Sequence, residues 1–139
     1  MGRSGYSDDI DDQWAMIRWR GAVAQAIRGQ RGQTMLRALL AALDAMPVKR
    51  LIGAELVDSH GEFCALGVLG ASRGIDLTGL NTEDWARLAA TFGVSEALVR
   101  EVMFINDGDY EYEMLSPERR WAEVRQWVVS QFRTGVAPL

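Results

Sequence analysis

Hydrophobic residues recur at helical spacing along most of the chain, in segments broken by glycine, proline and short polar turns. One segment departs from that amphipathic pattern: residues 62–75 (EFCALGVLGASRGI) hold almost nothing polar. As a helix from about residue 64 to 73, it carries Cys64, Gly67, Gly70 and Ala71 along one side and Leu66, Val68 and Leu69 on the others. The pattern predicts a central helix buried all round. Its small residues let a neighbouring backbone approach closely, and Gly74 supplies a left-handed C-cap.

The other segments are amphipathic. The spacing predicts a first helix from near Gln13, capped by Asp11 or Asp12, with Met16, Trp19, Val23, Ala26 and Ile27 on one face and Arg18, Gln25 and Arg28 on the opposite one. Residues 29–32 (GQRG) read as a tight, basic turn. A second helix follows over 33–46, burying Met35, Leu36, Leu39, Leu40, Leu43 and Met46 and stopped by Pro47, so that 13–46 form a helical hairpin. The helical period lapses over 48–63, where 55–58 and 62–64 read as a small β-hairpin with Gly61 at a positive-φ turn position. Asn81 or Thr82 caps a short helix that buries Trp85, Leu88, Ala89 and Phe92 and closes at Gly93. Ser95 caps the next, with Leu98, Val102 and Ile105 inward and Asn106, Asp107 and Gly108 at its end. The acidic-aromatic stretch 109–114 is too short and too charged for a strand. Ser116, Pro117 and Glu118 are a strong helix start, and the last helix buries Trp121, Val124, Val128 and Phe132.

These elements predict a mainly α, compact helical domain of about five or six helices, with one small β-hairpin before a buried central helix. Residues 1–12 read as a flexible acidic arm, 13–133 as a single helical domain (13–46 basic, 47–133 acidic) and 134–139 as a frayed tail. A length of 139 residues with 48% hydrophobic content suits one domain with a continuous core. One cysteine excludes an internal disulfide framework, and the N-terminal segment has no signal-peptide or transit-peptide pattern. With no apolar run of membrane-spanning length, the expectation is a soluble cytosolic protein with no membrane partner.

Charge alters this picture more than composition does. Seven basic residues (Arg18, Arg20, Arg28, Arg31, Arg37, Lys49 and Arg50) face Asp44 alone over 13–50, whereas fourteen acidic residues face seven basic ones from residue 51 onward. Such a split arises when two halves of a fold attract each other, and also at a surface for an acidic protein or a nucleic acid. Typical nucleic-acid binders are basic overall, and this chain has a net charge of -4.

Candidate chemistry is sparse. His60 and Cys64 are the only residues of their types; a thiol on an apolar run has its pKa raised, which disfavours a nucleophile and favours a structural Cys64. One histidine and one cysteine do not make a zinc site, and an EF-hand register with Gly108 at its sixth position puts Met103 and Ile105 where oxygen ligands belong. No metal and no cofactor is therefore expected, nor an enzyme. The turn from Arg28 to Gln33 offers amides and arginines to a phosphate but lacks the lysine and hydroxyl of a P-loop. The basic face of the first two helices is the best candidate surface: Arg18, Arg28, Arg31 and Arg37 with Trp14 among them, a pairing common at binding hot spots, and one that packing of the acidic arm over this face would equally explain. Trp14 and Trp127 sit off the core stripes and would also suit a subunit interface in a homodimer.

The opening GRSGYSDD (2–9), IRWRGAV (17–23), AIRG (26–29) with RGQ (31–33), and AALDAMP (41–47) together resemble an uncharacterised family of small proteins encoded by tailed bacteriophages and prophages of Gram-negative bacteria. The resemblance extends through CALG (64–67), Phe92-Gly93 and Asn106-Asp107. The later half also resembles a looser set of phage proteins that pair a Cys-x-Leu-Gly segment with a downstream Asn-Asp and a final helix. No functional residue carries over from either group. What the resemblance implies is a setting, the cytosol of an infected bacterium, and in it a non-catalytic accessory protein that binds a host protein and blunts a defence or regulatory system. The alternatives are a nucleic-acid binder using the same basic face and a protein that sequesters a small ligand or nucleotide at the Arg28 to Gln33 turn.

Overall fold

The computed structural model describes residues 13–108 and 115–133, and among them lie six α-helices: α1 (Gln13–Arg28), α2 (Gln30–Ala45), α3 (Ala65–Ser72), α4 (Trp85–Phe92), α5 (Glu96–Asp107) and α6 (Pro117–Ser130). The acidic arm with the expected caps Asp11 and Asp12, the stretch 109–114 and the tail 134–139 lie outside the described residues. Buried side chains from all six helices and from the connecting segment at Leu51 and Leu56 join in one hydrophobic cluster.

The ends of the helices follow local chemistry. The Ser95 and Ser116 hydroxyls accept from the amides of Leu98 and Arg119, at 3.3 and 3.1 Å. Gly74 and Gly93 are left-handed, with φ of 71° each, and each makes the paired bonds that satisfy the last carbonyls of a helix: Ile75 N to Gly70 O and Gly74 N to Ala71 O after α3, and the equivalent pair after α4. The cap of α4 is Asp84, whose carboxylate accepts from Arg87 N, and not Asn81 or Thr82; the Asn81 side chain instead accepts from Glu83 N in the preceding turn.

The junction of α1 and α2 departs from the expected four-residue turn. Only Gly29 is non-helical, and α2 begins at Gln30. The reason is steric: a Cβ at Gly32 would stand 2.0 Å from the carbonyl oxygen of Ala26, so Gly32 is a point of backbone contact inside a helix. Gln33 completes the junction. Its buried amide donates to Ile27 O at 2.7 Å and to Gln131 O at 3.1 Å, and its oxygen accepts from Arg133 N at 3.2 Å, tying the end of α6 to the turn.

The expected β-hairpin is absent as a strand pair among the described residues; what stands there is one antiparallel bridge between Val57 and Phe63. Cys64 N donates to Leu56 O and Asp58 N to Glu62 O on either side of it, and Gly61 takes the expected positive φ of 78°. The ladder cannot lengthen. Downstream the chain enters α3 at Ala65, and upstream it bends at Gly53 and at Ala54, a non-glycine residue with φ of 68°. Ile52 N takes the Phe63 carbonyl from a third segment.

The central helix is shorter than its apolar run. Residues 65–70 are buried, while Ala71 and Ser72 are exposed. The small side admits a neighbouring backbone at one position, where a Cβ at Gly67 would lie 1.9 Å from Leu56 O; at Gly70 the neighbour is a side chain, Leu77 Cδ2 at 2.7 Å. Asn106, fully buried, fixes the other side. Its Oδ1 accepts from Ala65 N at 2.9 Å and its Nδ2 donates to Ile52 O at 2.9 Å. The Asn106 carbonyl in turn accepts from the buried guanidinium of Arg120 on α6. Thus the Cys-Ala-Leu-Gly segment, the Asn-Asp pair and the last helix meet at one polar knot.

Two outcomes test this account. Asn106→Ala strands the Ala65 amide and the Ile52 carbonyl in the core and should lower stability by about 3 kcal/mol in urea denaturation, with a larger midpoint shift than an exposed control such as Gln126→Ala. Acid should act through the 58–62 turn. The Asp58 carboxyl accepts from the amides of Glu62 and His60 and is held below its usual 3.8. A depressed pKa contributes stability that is full above the unfolded value and is lost as pH falls through the folded one. Asp58→Asn should therefore flatten the fall of Tm between about pH 4 and 2, and an unchanged slope would exclude this turn as a source of acid sensitivity.

Candidate functional site

Helical geometry sorts the candidate residues. Trp14, Ile17, Arg18, Gly21, Gln25 and Arg28 stand at i, i+3, i+4, i+7, i+11 and i+14, a single stripe, and all six are exposed. Trp14 is 70% exposed and Ile17 55%, the two largest apolar residues open to solvent on α1. The opposite face packs inward through Trp19, Val23 and Ile27. No acidic residue occurs in α1, which carries Arg18, Arg20 and Arg28. Among the described residues Arg18, Arg28 and Arg31 make no ion pair.

Arg31 and Arg37 do not join this stripe. They lie six residues apart on α2, hence about 120° apart around its axis. Arg37 is half-buried, with its Nε donating to Gln33 O at 3.4 Å. Arg31 borders an open depression of about 520 Å³ between the α1–α2 junction and the start of α5, walled by Ala22, Gly29, Gly32, Val94 and Ser95. The surroundings weaken its pull on an anion. The carbonyl oxygens of Ala26 and Ile27 at the end of α1 crowd Gly32 in the first turn of α2, and α5 already has Ser95 as cap and Glu96 in its first turn. Among the described residues Arg31 is thus the one cationic side chain lining that depression.

The attraction of a basic half for an acidic one holds at one place: Arg50 pairs with Glu62 at 3.0 Å and with Glu118 at 2.7 Å. Across α2 and α6 the signs are reversed, since Asp44 of the basic half pairs with Arg125 at 2.6 Å. That pairing holds the Asp44 carboxyl below its usual value, chiefly through the Arg125 hydrogen bond.

The structure does not assemble a thiol nucleophile from His60 and Cys64. Cys64 is fully buried at the start of α3, and the His60 side chain is 82% exposed, 3.9 Å from the Asp58 carboxylate. Among the described residues no three His, Cys, Asp or Glu side chains converge as a metal site. Trp127, assigned above to a subunit interface with Trp14, is partly buried against the core beside Trp19 and Val23, in a smaller depression of about 230 Å³ that Arg20 and Glu101 also line.

Sequence reasoning passed over Ile17 and Gly21, both readable from the helical spacing that identified Trp14 and Arg18. It also passed over Arg100, whose guanidinium lies over the rings of Trp19 and Trp85 at 5.6 and 5.1 Å, joining α1, α4 and α5. Nothing in the spacing of those three residues signals the contact. No described helix is long and apolar enough to cross a membrane. Comparison with protein-family models, with curated proteins and with solved structures gives no match.

Burial decides the behaviour of the thiol. Cys64 should react with a disulfide reagent no faster than the protein unfolds, and its rate should rise with urea along the unfolding transition. Rapid labelling in native buffer, slowed by His60→Ala, would restore a nucleophilic role.

Proposed function

We propose that this is a non-catalytic binding protein and that the outward stripe of α1 is its contact surface, engaging a host protein in the bacteriophage setting that the sequence resemblance implies. In that setting the contact blunts a host defence or regulatory system. The observation that carries the reading is the exposure of Trp14 and Ile17 on the same stripe as Arg18 and Arg28, on a helix without a single acidic residue. A tryptophan, a branched aliphatic and arginines on one face match the composition of binding hot spots, and the core gains nothing from them there. The burial of Cys64 away from His60 favours a structural thiol over a catalytic one.

The nucleic-acid reading has less support. Arg18 and Arg28 are ten residues apart, about 15 Å along the helix, with the uncharged Gly21 and Gln25 between them on the stripe. A phosphate track calls for cations at closer intervals.

The test is capture of host macromolecules from a lysate of a Gram-negative host by the tagged protein, beside an Arg18→Glu/Arg28→Glu variant, with bound proteins and nucleic acids both identified. The expected result is one stoichiometric host protein, lost in the variant. Nuclease-sensitive recovery of bulk nucleic acid would transfer the face to the nucleic-acid reading, and recovery of no macromolecule would overturn the proposal.

A further inference from the structure

Gly21 is unexplained by the fold. It sits in the middle of α1, where glycine is among the least favourable residues, and apart from its chain neighbours and the nearby backbone of α1 itself no described atom lies within 4 Å of the position its Cβ would take. Gly32 and Gly67 differ, since a Cβ at either would meet a backbone carbonyl at 2.0 or 1.9 Å. Those two glycines are required by internal packing. Gly21 opens outward, one turn beyond Ile17 and two beyond Trp14 on the exposed stripe.

A notch with an exposed Ile17 beside it and Trp14 one turn further along the same stripe is relief over which a second helix can cross at short interaxial distance. Charge selects the second helix. The stripe presents Arg18 and Arg28 without an acid on α1, so a copy of α1 laid against it would gather four arginines with no counter-charge from either helix, whereas carboxylates would meet them favourably. We infer that this face receives an acidic amphipathic α-helix of another protein, crossing α1 at Gly21, resting apolar residues on Trp14 and Ile17 and setting carboxylates beside Arg18 and Arg28. The inference rests on the outward stripe of α1 being the contact surface, and names the chemistry and shape of what it contacts.

The experiment titrates isotopically labelled full-length protein with a stapled helical peptide of leucine, alanine and glutamate, with the same peptide carrying lysine for glutamate, and with a single-stranded oligonucleotide. The acidic peptide should shift the amides of α1 around Gly21, and the other two should bind at least about tenfold more weakly. Gly21→Leu should weaken the acidic peptide by about tenfold or more while keeping the native spectrum elsewhere. Gly21→Ala should raise Tm by about 3 °C while weakening binding, an opposition that a purely structural role would not give. Equal binding by Gly21→Leu, equal binding of the lysine peptide, preference for the oligonucleotide, shifts confined to another surface, or a peptide-free dimer closed through α1 would each overturn the inference. Host-protein capture that is lost with Arg18→Glu/Arg28→Glu but kept with Gly21→Leu would sink the helix crossing alone; capture kept by both variants would sink the contact surface as well.

Discussion

The buried amide of Asn106 is the contact on which the arrangement of α3, α5 and α6 depends. Residues 65–70 of α3 are buried whichever way they face, and burial of apolar surface has no preferred direction. Hydrophobic packing alone would leave the rotation and depth of such a helix poorly determined. Two polar constraints remove that freedom. At its start the Ala65 amide is taken by Asn106 Oδ1, and two residues on, Gly67 admits the Leu56 carbonyl where any side chain would collide. Arg120 extends the knot to α6 by donating to the carbonyls of Asn106 and Asp107, the latter at 3.1 Å. Every polar group brought into the core there has a partner, the condition under which a buried network specifies one structure.

The charge asymmetry along the chain is resolved in space into two kinds of residue. Arg50, Asp44 and Arg125 form pairs that join α2, the 58–62 turn and α6 at the surface, contacts worth little individually because they are solvated. The arginines of α1 belong to the other kind. They project from a helix whose inner face is already secured by Val23 and Ile27, so their charge supports a surface and not the fold.

Much of the fold was legible because helix ends are written in short range. Ser95, Ser116-Pro117, Gly74 and Gly93 act on neighbours within a turn, and each does what its type and position imply. Longer-range relations defeated the same reasoning. Gly32 reads as a terminator when only its neighbours are considered, yet it is a helix residue kept small by Ala26. That shift of the α2 boundary also dispersed the candidate site, since Arg31 and Arg37 share a basic patch only if 29–32 form a loop. The stripe of Trp14, Arg18 and Arg28 survived because it lies within one helix, and the period of one helix is a local property. Asn106 was legible as a residue that ties backbone together, but its partners are 41 and 54 positions away and no pattern names them.

A contact surface is useful in proportion to its rigidity, because side chains and backbone that must be ordered on binding subtract from affinity. α1 is at the edge of the core, yet its inner face is held near its middle and at its end. Arg100 lies over the rings of Trp19 and Trp85, and the Gln33 amide holds the Ile27 carbonyl in the last turn. Gly32 brings the start of α2 against the last turn of α1, so the two helices meet through backbone contact. Together these attachments keep the exposed stripe straight while contributing nothing to what it displays. The inward residues Val23 and Ile27 differ from Ile17, Arg18, Gly21 and Arg28, which α1 exposes, and that separation is what the proposed contact requires.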